Sequence, residues 1–167
     1  MSTAVRLWLT AGAILATVAC RDGTGARAGA GESVELDGEW EVEMHLERPL
    51  ILMSSDTMAP TDVRGRVVFV RNRSSRYRYA SVGIPDYHGT YEIDFTPFGF
   101  TLHAPRQLPT AIAARSAVDS VTIALNPADA AITLLLRGSM RGDSVAGTWT
   151  AVSRSIGGGG TFVLRRT

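Results

Sequence analysis

The sequence predicts an all-β domain, an antiparallel up-and-down meander of about eight or nine strands closed, or nearly closed, into a barrel. Three observations predict it. From Leu36 to Glu47 the chain alternates without error, with Leu36, Gly38, Trp40, Val42, Met44 and Leu46 on one face and Asp37, Glu39, Glu41, Glu43, His45 and Glu47 on the other. That period of two belongs to a half-buried strand with an acidic, solvated face. Similar short stretches recur at regular spacing, bounded by Gly, Pro, Asn and Asp. No long segment shows a capped period near 3.6. An open meander leaves two unpaired edges, so closure is the economical arrangement.

The elements after the first strand follow in order. Val67 and Phe69 follow Gly65, and Tyr77 and Tyr79 follow the turn-like run Asn72 to Ser75; together they predict a hairpin. Tyr91, Ile93 and Phe95 follow His88-Gly89, and Phe98, Phe100 and Leu102 alternate ahead of Pro105. Residues 105–117 are the one helix candidate, with Pro109 inside it. Val121, Ile123 and Leu125 end at Asn126-Pro127, and Ile132, Leu134 and Leu136 end near Gly138. Arg141-Gly142-Asp143 reads as a hairpin turn. Val145, Gly147, Trp149 and Ala151 form the next strand, Gly157 to Gly160 a flexible turn, and Phe162 and Leu164 the last strand.

Ahead of the domain the chain has two different segments. Arg6 precedes an apolar run, Leu7 to Val18, that ends in Thr17-Val18-Ala19-Cys20. The run is shorter than the ~20 residues a permanent membrane helix needs, which predicts a cleaved export signal over residues 1–19. Residues 21–33 are rich in Gly, Ala and Arg with no large apolar side chain. With Cys20 they predict a flexible tether over 20–33, and the barrel domain spans 34–167.

Composition sets limits. The 148 residues after the leader (167 minus 19) are enough for one domain. Removing Arg6 from the 17 basic residues leaves 16 arginines against 16 acids, and such neutrality gives no support for nucleic-acid binding. There is no lysine, and Cys20 is the only cysteine, so the fold must rest on its hydrophobic core rather than on disulfides. A lone thiol in an exported chain needs an explanation of its own.

Thr17-Val18-Ala19-Cys20 resembles the lipobox of bacterial lipoproteins. The resemblance implies a diacylglycerol on the Cys20 thiol, cleavage before it, and a membrane anchored through lipid; two or three acyl chains hold far more strongly than one. Position 21 is Arg rather than the Asp that retains such lipoproteins at the inner membrane, which implies the outer membrane, facing the periplasm, if the host has two membranes. Gly38-Glu39-Trp40 at the start of a meander resembles the lipocalins and the wider calycin group, and more closely the short bacterial lipocalin-like domains that end in Gly-x-Trp, a glycine-rich turn and an apolar strand with arginine. Gly147-Thr148-Trp149 and the final strand match that ending. The resemblance implies structural roles for Gly38, Trp40, Gly147 and Trp149, and for an arginine beside Trp40. Arg165 or Arg166 fits that last role; alternation allows only one of them to face inward, and Arg165 is taken first.

Chemistry is harder to find. No Gly-x-Ser-x-Gly elbow is present, and the paired carboxylates lie on a solvated strand face. His45, His88 and His103 lack metal-ligand spacing, and the glycine run lacks a phosphate loop's lysine and helix. No catalysis, cofactor or metal is expected. Arg64 and Arg66 should stand opposite Glu39, Glu41 and Glu43, where cross-strand pairs contribute ~0.2–1 kcal/mol each. Arg71, Arg73, Arg76 and Arg78 have no obvious acidic partner and could face phospholipid headgroups or an acidic ligand. An eight-stranded barrel is just wide enough to be filled by side chains or to hold one small ligand. Trp40, Tyr77, Tyr79, Tyr91 and Phe95 are the candidate lining of such a site.

The expectation is a lipid-anchored extracytoplasmic barrel that binds a small apolar or amphipathic ligand. The alternative is a non-enzymatic envelope lipoprotein with a solid barrel that contacts another protein, for example as a hydrolase inhibitor or assembly factor, through the Arg71–Arg78 turn.

Overall fold

The structure is a computed structural model that describes residues 34–48, 61–99, 102, 111–128, 132–153 and 157–167. Cys20, Phe100, His103 and the expected leader and tether lie outside the described residues.

Eight strands form a closed antiparallel barrel in simple chain order: β1 Gly38–Arg48, β2 Asp62–Arg71, β3 Tyr87–Ile93, β4 Ile112–Ser116, β5 Ser120–Leu125, β6 Ile132–Arg141, β7 Ser144–Ser153 and β8 Gly158–Arg166. β8 pairs back onto β1, Val42 opposite Leu164, so neither edge is left open. The predicted all-β closed meander is the observed fold.

Alternation places one face of each strand inside. Trp40, Val42, Met44, Val67, Phe69, Tyr91, Ile123, Leu134, Leu136, Trp149 and Phe162 belong to one continuous buried cluster. A second, smaller cluster joins Ala113, Ala124 and Leu135 to Tyr79 and Val82. Since Ile112, Ala114, Ile123, Leu125, Leu134 and Leu136 point inward, their neighbours Ala113, Ala124 and Leu135 point outward. The segment 72–86 therefore crosses the outside of β4–β6 as a strap.

This corrects the expected second hairpin. Residues 72–86 hold only one isolated bridge, Tyr79 to Gly83, and no strand. Asn72 drives the departure: its side chain accepts the Ser74 N–H at 2.9 Å and donates to the Pro85 carbonyl at 2.8 Å, ending the strand and tying the strap's two ends together. Three further expectations change. Part of the helix candidate is β4, whose small outward Ala113 makes room for the strap; residues 105–110 lie outside the described residues. Phe98 sits in a short 3-10 turn, Thr96–Phe98, opened by Pro97 and closed by Gly99 at φ +82°, and not in a strand. The glycine run is the start of β8 rather than a turn. A Cβ on Gly160 would lie 1.8 Å from the His45 carbonyl oxygen, so the close approach of β1 at its bulge excludes any side chain there. Arg141-Gly142-Asp143 is the expected tight turn between β6 and β7, with Gly142 at φ +60°.

Candidate functional site

The barrel interior is filled at both ends. At the end where β1 begins, residues 34–37 fold across the opening, with Leu36 fully buried. The Trp40 indole N–H donates to the Leu36 carbonyl at 2.8 Å. Arg166 donates to the carbonyls of Asp37 at 3.0 Å and Glu35 at 2.6 Å, while its guanidinium lies 4.6 Å over the Trp40 ring. Arg166, not Arg165, stands beside Trp40; Arg165 points outward to Glu43 at 3.5 Å. Strand parity decides between them, because Leu164 faces inward and Arg166 shares its side.

At the opposite end Phe95 and Phe98 turn inward after β3. Phe98 stacks on Trp149 with ring centres 5.3 Å apart, and the Trp149 indole N–H donates to the His45 carbonyl at 3.0 Å. Tyr91 packs edge-on to Phe95 and donates its hydroxyl to Asn126 Oδ1 at 2.8 Å. Each polar handle of these buried aromatics is thus satisfied locally. Of the candidate lining residues, Trp40, Tyr91 and Phe95 lie in the interior as packed core. Tyr77 and Tyr79 lie outside the wall: Tyr77 is 43% exposed and meets His88 edge-on on the outer face of β3, and Tyr79, on the strap's inner side, packs with Ala113, Ala124 and Leu135. Sequence alternation placed them inside because Tyr-Arg-Tyr imitates a strand.

The outer surface carries the charge. Glu43 meets Arg64 at 2.7 Å and Glu39 meets Arg66 at 2.7 Å across β1 and β2, as the alternation suggested. The hydrogen bond and charge of Arg64 hold the Glu43 carboxyl below its ordinary range. Gly65 between the two arginines lets β3 approach; a Cβ there would lie 2.2 Å from the Glu92 carbonyl oxygen. An open depression of about 670 Å³ lies over this network, lined by Glu41, Glu43, Arg64, Arg66, Glu92 and Arg165. Its three acids and three arginines balance in number, Glu43 pairs with Arg64 and Arg165, and such solvated pairs contribute little.

The strap differs. At its root Arg71 pairs with Glu35 at 2.6 Å and lies 5.3 Å over the Tyr87 ring, and its backbone N–H donates to Asp37. Burial works to raise the Glu35 pKa, yet hydrogen bonds from Arg71 and Tyr87 hold the carboxyl below its usual range. Burial raises that of Tyr87, whose hydroxyl bonds to Glu35 and to the Val34 carbonyl. Beyond the root, Arg73, Arg76 and Arg78 are exposed, and among the described residues their guanidinium groups make no ion pair. Beside them is a second open depression, about 570 Å³, lined chiefly by Arg71, Arg73, Ser74, Ser75, Asp86 and Ser116. Asp86 is engaged, its carboxylate accepting the Ser116 N–H at 2.9 Å.

Among the described residues no three His, Cys, Asp or Glu side chains are grouped to hold a metal ion. The strap gathers three exposed arginines, Arg73, Arg76 and Arg78, on one short segment beside that depression. No protein-family model, curated protein or solved structure matches this chain.

Proposed function

We propose that this chain is a lipid-anchored bacterial envelope protein, exported and acylated on Cys20, whose barrel is a solid scaffold that works by contact at its outer surface. Where the host has two membranes, the outer one, on its periplasmic side, is its place. No catalytic step is assigned to it. The observation that carries the reading is the filled interior: Trp40, Phe69, Phe95, Phe98, Trp149 and Phe162 are each at most 2% exposed within it. Aromatics of this size stabilise by burial, about 5 kcal/mol for 200 Å² at 25 cal/mol per Å². Opening a lumen for a ligand would forfeit part of that.

One observation favours the carrier reading instead. Asn126 is 1% exposed, and its side-chain N–H₂ has no acceptor, a position from which it would serve a small molecule entering beside Tyr91. Both readings are tested on protein purified from cell membranes. Mass spectrometry of the intact chain should show acyl mass on a polypeptide beginning at Cys20, and an extract of the protein should contain no small molecule at one-to-one ratio. An apolar species at that ratio would restore the carrier, and an unacylated chain, or acyl mass that survives Cys20→Ala, would remove the anchor.

A further inference from the structure

We infer that the strap over residues 72–86 is a docking face for an anionic phospholipid surface, and that it sets the orientation of the barrel on its own membrane. The inference deepens the lipid-anchored reading above and rests on it.

The strap is built to present charge rather than to bury it. Its inner side, Tyr79 and Val82, is spent on Ala113, Ala124 and Leu135. Both ends are tied down, by Asn72 to the Pro85 carbonyl and by the Asn72 N–H to the Asp86 carbonyl at 2.7 Å. What remains outward is Arg73, Arg76 and Arg78, together with Tyr77 at 43% and Ile84 at 46% exposure. Arg115 joins them from β4, its guanidinium 3.8 Å from where a Cβ on Gly83 would stand. Residues 72–86 hold three arginines and one acid, Asp86, a balance of +2 in a chain whose total is +1. Guanidinium groups suit phosphate oxygens, the Ser74 and Ser75 hydroxyls line the same depression, and a half-exposed tyrosine fits the amphipathic headgroup layer.

The path of the chain favours a membrane over an acidic protein. Val34, the first described residue, lies at the root of the strap: its N–H donates to the Ala117 carbonyl at 3.5 Å, its carbonyl accepts from Tyr87, and its neighbour Glu35 holds Arg71. Thirteen residues, 21–33, separate it from Cys20, so a lipid there keeps the strap's root within at most about 50 Å of the bilayer. At such an effective concentration a weak electrostatic contact of about 1 kcal/mol per arginine suffices. The docked strap would leave the charged β1–β2 face and the far end of the barrel for a protein partner.

The test is hydrogen exchange of the full-length protein, purified from membranes and placed on vesicles of phosphatidylcholine alone or with one quarter phosphatidylglycerol. Amides of residues 73–84 should exchange more slowly on the anionic vesicles, and 0.5 M salt should abolish the difference. Arg73→Gln/Arg76→Gln/Arg78→Gln should weaken docking about a hundredfold, since three contacts of ~1 kcal/mol are lost, and bring exchange to the level on neutral vesicles. These side chains are exposed, so the variant keeps the barrel, as unchanged exchange in β6 and β7 will verify. Equal strap exchange on both vesicle types overturns the inference, as does protection by soluble poly-glutamate but not by phosphatidylglycerol, which would make the strap a protein-docking face. The mass of the same sample reports acylation separately, so that loss of the anchor and loss of docking are told apart.

Discussion

The tripeptide Gly-x-Trp occurs twice, and the two copies are built on different physics. Trp40 and Trp149 are both fully buried, and each donates its indole N–H to a main-chain carbonyl. Trp40 sits under the N-terminal segment, covered by Arg166; Trp149 sits near the other end, covered by Phe98. The glycines differ more. Gly38 adopts φ +114°, which side-chain-bearing residues rarely adopt, and a Cβ there would meet the Arg166 guanidinium at 3.8 Å, an ordinary contact. Gly147 has ordinary torsions, but a Cβ on it would lie 2.0 Å from the Arg137 carbonyl oxygen, opposite the equally bare Gly138. One glycine is required by torsion and the other by the close approach of strands at a barrel bend. A repeated motif is therefore no proof of a repeated cause.

The comparison can be broken at several points. The largest effect is expected from Gly147→Ala, where a methyl must displace the backbone of a paired strand; about 3 kcal/mol or more should be lost. Gly38→Ala should cost only the torsional strain, about 1–2 kcal/mol. Chemical denaturation of both variants measures the difference, and an equal or reversed order would mean that the two glycines share one role.

A smaller effect separates the two terminal arginines. Arg166→Ala removes the cation over Trp40 and two hydrogen bonds to carbonyls, for about 1–2 kcal/mol. Arg165→Ala removes one exposed, 3.5 Å ion pair and should stay within about 0.5 kcal/mol. If Arg165→Ala proves the more damaging, the assignment of Arg166 to Trp40 fails.

The smallest effect is one of pH, at the clasp that holds residues 34–37. Glu35 has its folded pKa lowered from the ordinary 4.5, so its contribution is present above that value and is lost as pH falls through the folded pKa. Glu35 is about half exposed, and solvent screens the pair with Arg71. The protection factor of the Val34 amide, its exchange rate relative to the intrinsic rate at the same pH, should fall on acidification below about pH 4.5, and Glu35→Gln should flatten that dependence. An unchanged pH profile in Glu35→Gln would show that the clasp holds by main-chain contacts alone.

Much of the barrel was legible because a half-buried strand writes its own period into the chain. The alternation at 36–47 gave β1 and its acidic face, and the stretches around Val121, Ile132, Val145 and Phe162 gave β5 to β8. The misreadings share a cause. Tyr77-Arg78-Tyr79 alternates like a strand, Ala111 to Ala114 lacks any contrast, and four glycines look like a turn, because each is shaped by a neighbour distant in sequence. The strap buries Ala113 on the outer face, and His45 crowds Gly160 across more than a hundred residues of chain. The unpaired arginines were visible as a cluster, but their separation from the matched Arg64 and Arg66 network depends on where the strap leaves the sheet.

By itself the sequence determined the all-β class, the strand count within one, the inward and outward faces of β1, and the opposition of Arg64 and Arg66 to the acids of β1. These follow from local alternation, in which each residue's side is fixed by its neighbours two positions away. Only the tertiary structure decided that the lumen is packed, that Arg166 covers Trp40, and that residues 72–86 form an outer strap with its cations exposed. Those outcomes depend on which surfaces meet after the barrel closes, and closure brings together residues whose separation along the chain carries no periodic trace.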